Sequence, residues 1–526
     1  MRDHVIAVDV GTGSARAGIV DVQGTLLCRR EHPIETRFEG DTRAEHASEQ
    51  IWRAVCVAVG EALSASGVAA TKIAAIAFDA TCSLVLRDRK GEPLALTRED
   101  GKTFDTILWL DHRAAAEADE CTATDHAAIR HTGEVMSPEM EIPKLLWLKR
   151  HRPDLWNKLG YAFDLADFLT WRASGSNARS LCTITAKWNF QQHQTEGWPR
   201  DFLAKLGLDD LEDRASLPRI GHPVGDAVGR LTRQAAADLG LDVSVVVASG
   251  MVDAYAGALG VLGGYGHAPQ SLSRQIALIG GTSSCLIAFA PEPRFRRSLW
   301  GPYYEAVFPG QWLVEAGQSA TGALLNHLLS LHSAGGTPTT ALHQKVIARV
   351  SQLRAEAGPG LADHINILPD FHGNRSPFAD PNLTGVITGL TLDTSFDGLC
   401  RLYWRACVAI ALGLRQILET MAASGMQTEQ LHLTGGHVKN PLLTELYGDV
   451  TGCDLAIPET DDAVLVGTAI NAAAAARLHP SLAEAGRAMA PKARMRKVDP
   501  DAHRRYERDY RRFLAMQRHR AELDGM

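Results

Sequence analysis

Residues Ile6 to Val20 read IAVDVGTGSARAGIV. An apolar run breaks at Gly11-Thr12-Gly13-Ser14 and resumes as an alternating strand through Ala15, Ala17 and Ile19. A turn of glycines and hydroxyls can aim several backbone N–H groups at one anion. Asp9 stands just before the turn, where a carboxylate can hold a hydrated magnesium ion through water. The stretch reads as a strand–loop–strand phosphate clamp; an ordinary Gly-rich hairpin has the same pattern. Half a chain later, Ile276 to Pro291 repeats it as IALIGGTSSCLIAFAP, with Gly280-Gly281-Thr282-Ser283-Ser284 at the break. Two copies predict two like domains, each lending a hairpin to one nucleotide.

A third stretch, VSVVVASGMVDAYAGALGVL from Val243 to Leu262, predicts a buried strand over Val243 to Ala248, a break at Gly250 and a helix opened by Asp253. A carboxylate there can point into a cleft, although spacing alone favours a plain N-cap aspartate. Leu431 to Thr434 runs into Gly435-Gly436-His437-Val438-Lys439-Asn440-Pro441, a strand–Gly-Gly–helix junction that a flat ring or a phosphate can approach closely; a plain βα turn reads the same way. The GKT at Gly101-Lys102-Thr103 is no P-loop, because Leu96 stands where the motif needs glycine. A surface turn is expected there.

The elements that must position these residues follow from periodicity. Ser48 is expected to cap a helix with Ile51, Val55 and Val59 on its apolar face, ended by Gly67. KIAAIAFD, Lys72 to Asp79, is a buried strand that delivers Asp79, Thr81, Cys82 and Ser83 to a strand end. Strand, helix, strand at this spacing argues an α/β layer fold. Pro143 suits the first turn of a helix with Leu145, Leu146 and Leu148 on its core face. Trp312 to Glu315 is a strand, and Ala463 to Arg477 an Ala-rich packed helix. The boundary is placed in the polar, Gly-rich Gly263 to Ser273, giving domains 1–265 and 271–526, with Gly263 to Gly266 as a hinge that closes on sugar binding. The tail from Asp499 to Leu523 sets Tyr506, Tyr510, Phe513 and Leu514 on one helical face, as a docked surface helix.

Composition excludes several classes. The 526 residues suit two large domains, and 45% hydrophobic with 22% charged residues is ordinary for a globular enzyme. A formal net charge of −7 leaves no basic footprint for nucleic acid. Nine scattered cysteines without a CxxC pair fit reduced, cytoplasmic surroundings. The densest apolar run, Leu402 to Leu418, carries Arg405 and Arg415 and is expected to be a buried helix, not a membrane span.

Together VDVGTGSARAGIVD, FDATCSLV, WLDHRA, SPEMEIPKLLWLK, GMVDAYAGALG, IGGTSSC, EAGQSATG and LTGGHVKN resemble the FGGY carbohydrate kinases, most of all the ribulokinase-type pentulose kinases. The resemblance covers nearly the whole chain. It implies two ribonuclease-H-like domains of the actin and sugar-kinase superfamily, with ATP and sugar in the cleft between them. It implies Asp253 as the catalytic base. It implies Gly11, Thr12, Gly13 and Ser14 as the first phosphate loop, Gly281 and Thr282 as the second, and Gly435, Gly436 and Asn440 at the adenosine. Lys187, Glu315, Thr81 and Cys82 match positions that contact the ketose. The implied reaction phosphorylates a ketopentose, D-ribulose first and L-ribulose second, with ATP and Mg2+ as the other participants and a homodimer as an admissible assembly. A kinase for another ketose or polyol, such as xylulose, glycerol or an erythritol-like alcohol, is the nearest alternative. A non-catalytic nucleotide-gated switch sharing the actin-like core is the other.

Overall fold

The computed structural model describes residues 2–40, 42–358 and 360–526. Contacts divide it into two compact units. The first comprises Met1–Ser273, Phe289–Val314 and Glu459–Lys492; the second comprises Arg274–Ala288, Glu315–Pro458 and Ala493–Met526. The chain leaves the first unit at Ser273, inside the expected boundary segment, but it returns to that unit twice. A single cut into 1–265 and 271–526 therefore does not describe the packing.

The return has a physical cause. Helix Ala463–Ala475 packs on helix Asp253–Leu262 with almost no side chain between them. A methyl group on Gly260 would overlap the Ala463 carbonyl, and one on Gly467 would overlap the Ala256 carbonyl. Alternating small residues permit this, but nothing in their spacing announces which other helix they will meet.

In the first unit one sheet runs Ala227–Arg230, Val246–Ala248, Ile73–Ala80, His4–Val10, Ser14–Asp21, Leu26–Pro33. His4–Val10 pairs antiparallel with Ser14–Asp21 and parallel with Ile73–Ala80. In the second unit Gln275–Gly280 pairs antiparallel with Ser284–Ala290 and parallel with Gln430–Gly435. The same three-strand arrangement thus occurs in both units, as the repeated hairpin motif led one to expect. The apolar runs are buried as predicted: Ile6, Val8, Val10, Ile76 and Phe78 share one core with Ile51, Val55 and Val59 of helix Ser48–Ser66. Gly67 closes that helix at φ 70°, a conformation glycine takes without strain.

Several local expectations change. Ala47, not Ser48, is the N-cap; Ser48 lies in the first turn, its N–H and Oγ donating to Asp105 at 2.9 and 2.6 Å. The strand expected over Val243 to Ala248 is only Val246–Ala248, and Val243 is exposed. Gly263 to Gly266, the expected hinge, packs inside the first unit. Gly263 and Gly266 hold helical φ of −52° and −58°, and a methyl at either would press on Gly486 or the Phe308 ring. Lys102 and Thr103 lie in a small hairpin, Thr97–Glu99 with Lys102–Phe104, whose turn carries Gly101.

The apolar run Leu402 to Leu418 lies in helix Phe396–Ala423, the only helix among the described residues long and apolar enough to cross a membrane. Its apolar window is 67% buried, and Arg405 donates to Asp509 of the C-terminal helix at 3.0 Å. It is the core helix of the second unit. Helix Glu507–Asp524 docks on it through buried Tyr510 and Phe513.

Candidate active site

Strand register aligns the charged groups of the first unit. Arg16 pairs with Asp9, Asp9 with Asp79, and Asp79 with Met251, two residues before Asp253. Residues in one such row point to the same face of the sheet. Asp9 and Asp79 are fully buried. Arg16 donates to Asp9 Oδ2 and, at 3.1 Å, to Asp462 Oδ2. Burial pushes the Asp9 carboxyl up to about 7; the Arg16 guanidinium opposes this, and the negative charges of Asp462 and Asp253 add to it. Asp79 is raised as well, chiefly by burial and then by Asp9.

Asp253 is the first residue of its helix, not the N-cap; Val252 holds the cap position. The helix still meets the Asp253 carboxylate, because Ala254 N–H donates to Oδ1 at 2.7 Å. The side chain is half-buried, and its charge reaches both Asp9 and Asp79. A carboxylate at a helix start is stabilised in its charged form by the positive end of the helix dipole.

The first loop is held from several sides. Gly11 N–H donates to the Ser14 carbonyl at 3.0 Å, and Ile34 N–H to the Gly13 carbonyl at 2.9 Å. Gly13 faces open space. Trp109 Nε1 donates to Thr12 Oγ1 at 3.0 Å, and Ser14 Oγ to Glu31 at 2.6 Å. WLDHR reads in sequence as a core tryptophan beside an ion pair; Asp111 and Arg113 do pair at 2.7 Å, but Trp109 is also a support for the loop. A neutral hydrogen bond of this kind contributes about 1 kcal/mol, or roughly fivefold in an equilibrium. Trp109→Phe is therefore expected to raise KM for ATP about fivefold with KM for the acceptor unmoved. An unchanged KM for ATP would remove Trp109 from the loop's support.

Thr81 and Cys82 follow strand Ile73–Ala80 and are buried; Thr81 N–H donates to the Val10 carbonyl at 3.0 Å, tying them to the end of the first hairpin strand. Lys187 ends helix Leu181–Lys187, 5% exposed, with Nζ 4.6 Å from the Trp300 ring centroid. An ammonium over an aromatic face is attracted by the negative face of the ring. Glu141, also buried, lies 3.6 Å from Lys144; burial raises its carboxyl to about 7 against the pull of Lys144 and Lys187.

In the second unit, Gly281 and Thr282 are exposed at the hairpin tip. Their carbonyls accept from Gly322 and Ala323 N–H at 3.1 Å each, so the tip is seated on the start of helix Gly322–Leu331. Gly280 and Gly435 pair across adjacent strands, and Gly435 takes φ 81° where its backbone presses on Gly280. His437 was missed by sequence reasoning. Its Nε2 lies 2.9 Å from the Gly281 carbonyl and its Nδ1 2.8 Å from Tyr447 OH. Burial lowers its pKa to about 4, so it is neutral; Nε2–H donates to Gly281 and Nδ1 accepts from Tyr447. Asn440 caps helix Pro441–Thr451, its side-chain oxygen accepting from Leu442 and Leu443, and its Nδ2 lies 3.3 Å from Tyr403 OH. Glu315 is buried in strand Trp312–Gln318, 4.0 Å from Arg375.

The structure thus brings Asp9, Asp79, Asp253, Thr81 and the first loop together in one unit, and Gly281, Thr282, Gly435 and Gly436 together in the other. Lys187 belongs to the first unit and Glu315 to the second.

Comparison with known proteins identifies the set. Residues 4–260 match the N-terminal domain of the FGGY family of carbohydrate kinases, and residues 276–476 match its C-terminal domain. The chain belongs to the FGGY family of carbohydrate kinases. It is similar to an FGGY carbohydrate kinase domain-containing protein of Danio rerio, 40% identical over 540 residues, covering 99% of this chain and 98% of that one. It is also similar to a D-ribulokinase of Saccharomyces cerevisiae, 35% identical over 515 residues, covering 89% of this chain and 71% of the relative. A xylulose kinase structure from Rhodospirillum rubrum has the same fold, with a TM-score of 0.78 at 22% identity over 99% of this chain and 100% of that one. This FGGY kinase has the two-domain, mixed α/β sugar-kinase fold and is an ATP-dependent sugar phosphotransferase.

Proposed function

We propose that this FGGY kinase phosphorylates a ketopentose, D-ribulose first and L-ribulose second, to ribulose 5-phosphate in the cytoplasm. The observation that carries the reading is Asp253, a carboxylate at the first turn of a helix and within electrostatic reach of Asp9 beside the first phosphate loop. The name of the yeast relative supports ribulose as acceptor.

The chemistry needs little covalent help. Asp253 accepts the proton of the attacking sugar hydroxyl as its oxygen bonds to the γ-phosphorus, and the bond to the β-phosphate oxygen breaks to release ADP. The backbone N–H at Gly13, in the exposed tip of the first loop, is a donor for the charge that develops on the transferred group. Lys187 and Glu315 hold ketose oxygens, with Thr81 and Cys82 as backbone contacts. Gly435 and Gly436 leave room for the adenosine, with Asn440 shaping the turn beyond them.

The residues fit magnesium. Asp9 Oδ1 and Asp79 Oδ1 are buried and have no hydrogen-bond partner among the described residues, which a hydrated cation can supply. The described residues hold no cage of three or more ligating side chains, and a Mg2+ that keeps its waters and binds phosphate oxygens needs none. When bound, the ion neutralises phosphate charge; Asp9 is the residue that orients its water shell.

Lys187→Met tests the acceptor side. It is expected to raise KM for D-ribulose about tenfold or more, as loss of a charge-assisted contact does, with KM for ATP within about twofold. An unchanged ketose KM would remove Lys187 from the sugar site.

A further inference from the structure

Helix Ala463–Ala475 falls in the C-terminal family segment but packs on the sheet of the first unit, over strands His4–Val10 and Ile73–Ala80. Two of its side chains act on the neighbours of Asp9. Asp462, its N-cap, accepts from Leu465 N–H at 3.2 Å through Oδ1. Its other oxygen accepts from Arg16 Nη1 at 3.1 Å and from Arg29 Nε at 3.2 Å. Arg16 is the guanidinium on Asp9, and Arg29 holds Glu31 at 2.8 Å, which in turn accepts from Ser14 Oγ of the phosphate loop. Six residues along, Thr468 donates its hydroxyl to Asp79 Oδ2, and Asp79 stands opposite Asp9 in the sheet. Thr468 is fully buried and Asp462 is 8% exposed.

We propose that Asp462 and Thr468 are positioning residues that fix Asp9 from its two sides, Asp462 through Arg16 and Thr468 through Asp79. The inference rests on the assignment of Asp9 to the metal–phosphate side of the reaction. Its physical basis is that a carboxylate with one unsatisfied oxygen is aimed only by what surrounds it. Arg16 could otherwise swing toward solvent, and Asp79 could rotate its carboxyl away. Neighbours of a metal-orienting residue typically matter by about 10- to 100-fold in metal affinity or activity. Asp462 also ties strand Ser14–Asp21, through Arg16, and strand Leu26–Pro33, through Arg29, to one helix end, so the loop and Asp9 are set by the same anchor.

The test uses the full chain with Thr468→Val, Thr468→Ser, Asp462→Asn and Asp9→Asn. Asparagine keeps the cap acceptor at Asp462 but removes its charge, and serine keeps the hydroxyl at Thr468. Three readouts are taken: half-saturating Mg2+ for ketose-dependent ADP release, calorimetric Kd of ADP with and without Mg2+, and the melting temperature. Thr468→Val and Asp462→Asn are expected to raise half-saturating Mg2+ and the Kd of Mg·ADP about tenfold. Metal-free ADP binding and melting temperature are expected to hold, and Thr468→Ser to restore both Mg2+ readouts. Unchanged Mg2+ readouts in Asp462→Asn and Thr468→Val, with Asp9→Asn raising them, overturn the inference and leave the assignment of Asp9 standing. If Thr468→Val fails to fold, Asp462→Asn decides alone. Unchanged readouts in Asp9→Asn overturn the assignment of Asp9, and the inference with it.

Discussion

Asp253→Asn is expected to lower kcat by about 10²- to 10⁴-fold, the range that a positioned general base supplies, while the Kd for ATP changes less than about threefold. Asparagine keeps the size of the side chain and can still accept from Ala254 N–H, so the helix start survives the change. What it loses is the ability to take a proton. The helix position matters to the size of the effect. Asp253 is the first residue of helix Asp253–Leu262, and its Oδ1 accepts from Ala254 N–H at 2.7 Å, so the carboxylate is held at the helix start. Rapid-quench measurement of a single turnover separates chemistry from product release. A variant that keeps most of its single-turnover rate would show that the proton leaves by another route.

Gly467→Ala is expected to destabilise the first unit by about 2–3 kcal/mol, the upper part of the overpacking range. Helix propensity alone predicts the opposite sign, a gain of about 1 kcal/mol for glycine to alanine in a helix interior. Packing wins because the added methyl would overlap the Ala256 carbonyl, and backbone cannot turn aside as a flexible side chain can. Gly260 makes the reciprocal contact with the Ala463 carbonyl, so neither helix can slide to relieve the other. The change also lies one residue from Thr468, so Mg2+ dependence should worsen along with stability. A denaturation midpoint equal to or above that of the unaltered chain would contradict a backbone-to-backbone crossing.

The two hairpins, strand Ile73–Ala80 and the Ser48–Ser66 helix were legible because each is a local pattern. Apolar periodicity, a glycine turn and a C-terminal glycine carry their own structural meaning. The pairing of Asp9 with Asp79 was not legible, since two residues seventy positions apart meet only through strand register. The same holds for Asp462 and Thr468, which lie in an Ala-rich stretch that reads as packing and nothing else. Trp109 and His437 were quoted within motifs, but their contacts to Thr12 and Gly281 depend on loop geometry. The return of the chain to the first unit beyond Ser273, and the packing of Gly263–Gly266 inside that unit, were not legible either. Composition marks where glycines are, whereas packing against Gly486 and Phe308 decides whether they can move.

The most direct test of the account is the rate of ADP release from Mg·ATP with a panel of acceptors: D-ribulose, L-ribulose, D-xylulose, glycerol and erythritol, and none. The account predicts negligible release without acceptor, the highest kcat/KM with D-ribulose, a lower value with L-ribulose, and one equivalent of ribulose 5-phosphate per ADP. Release that is independent of any sugar, or a higher kcat/KM with xylulose or glycerol than with either ribulose, would contradict it.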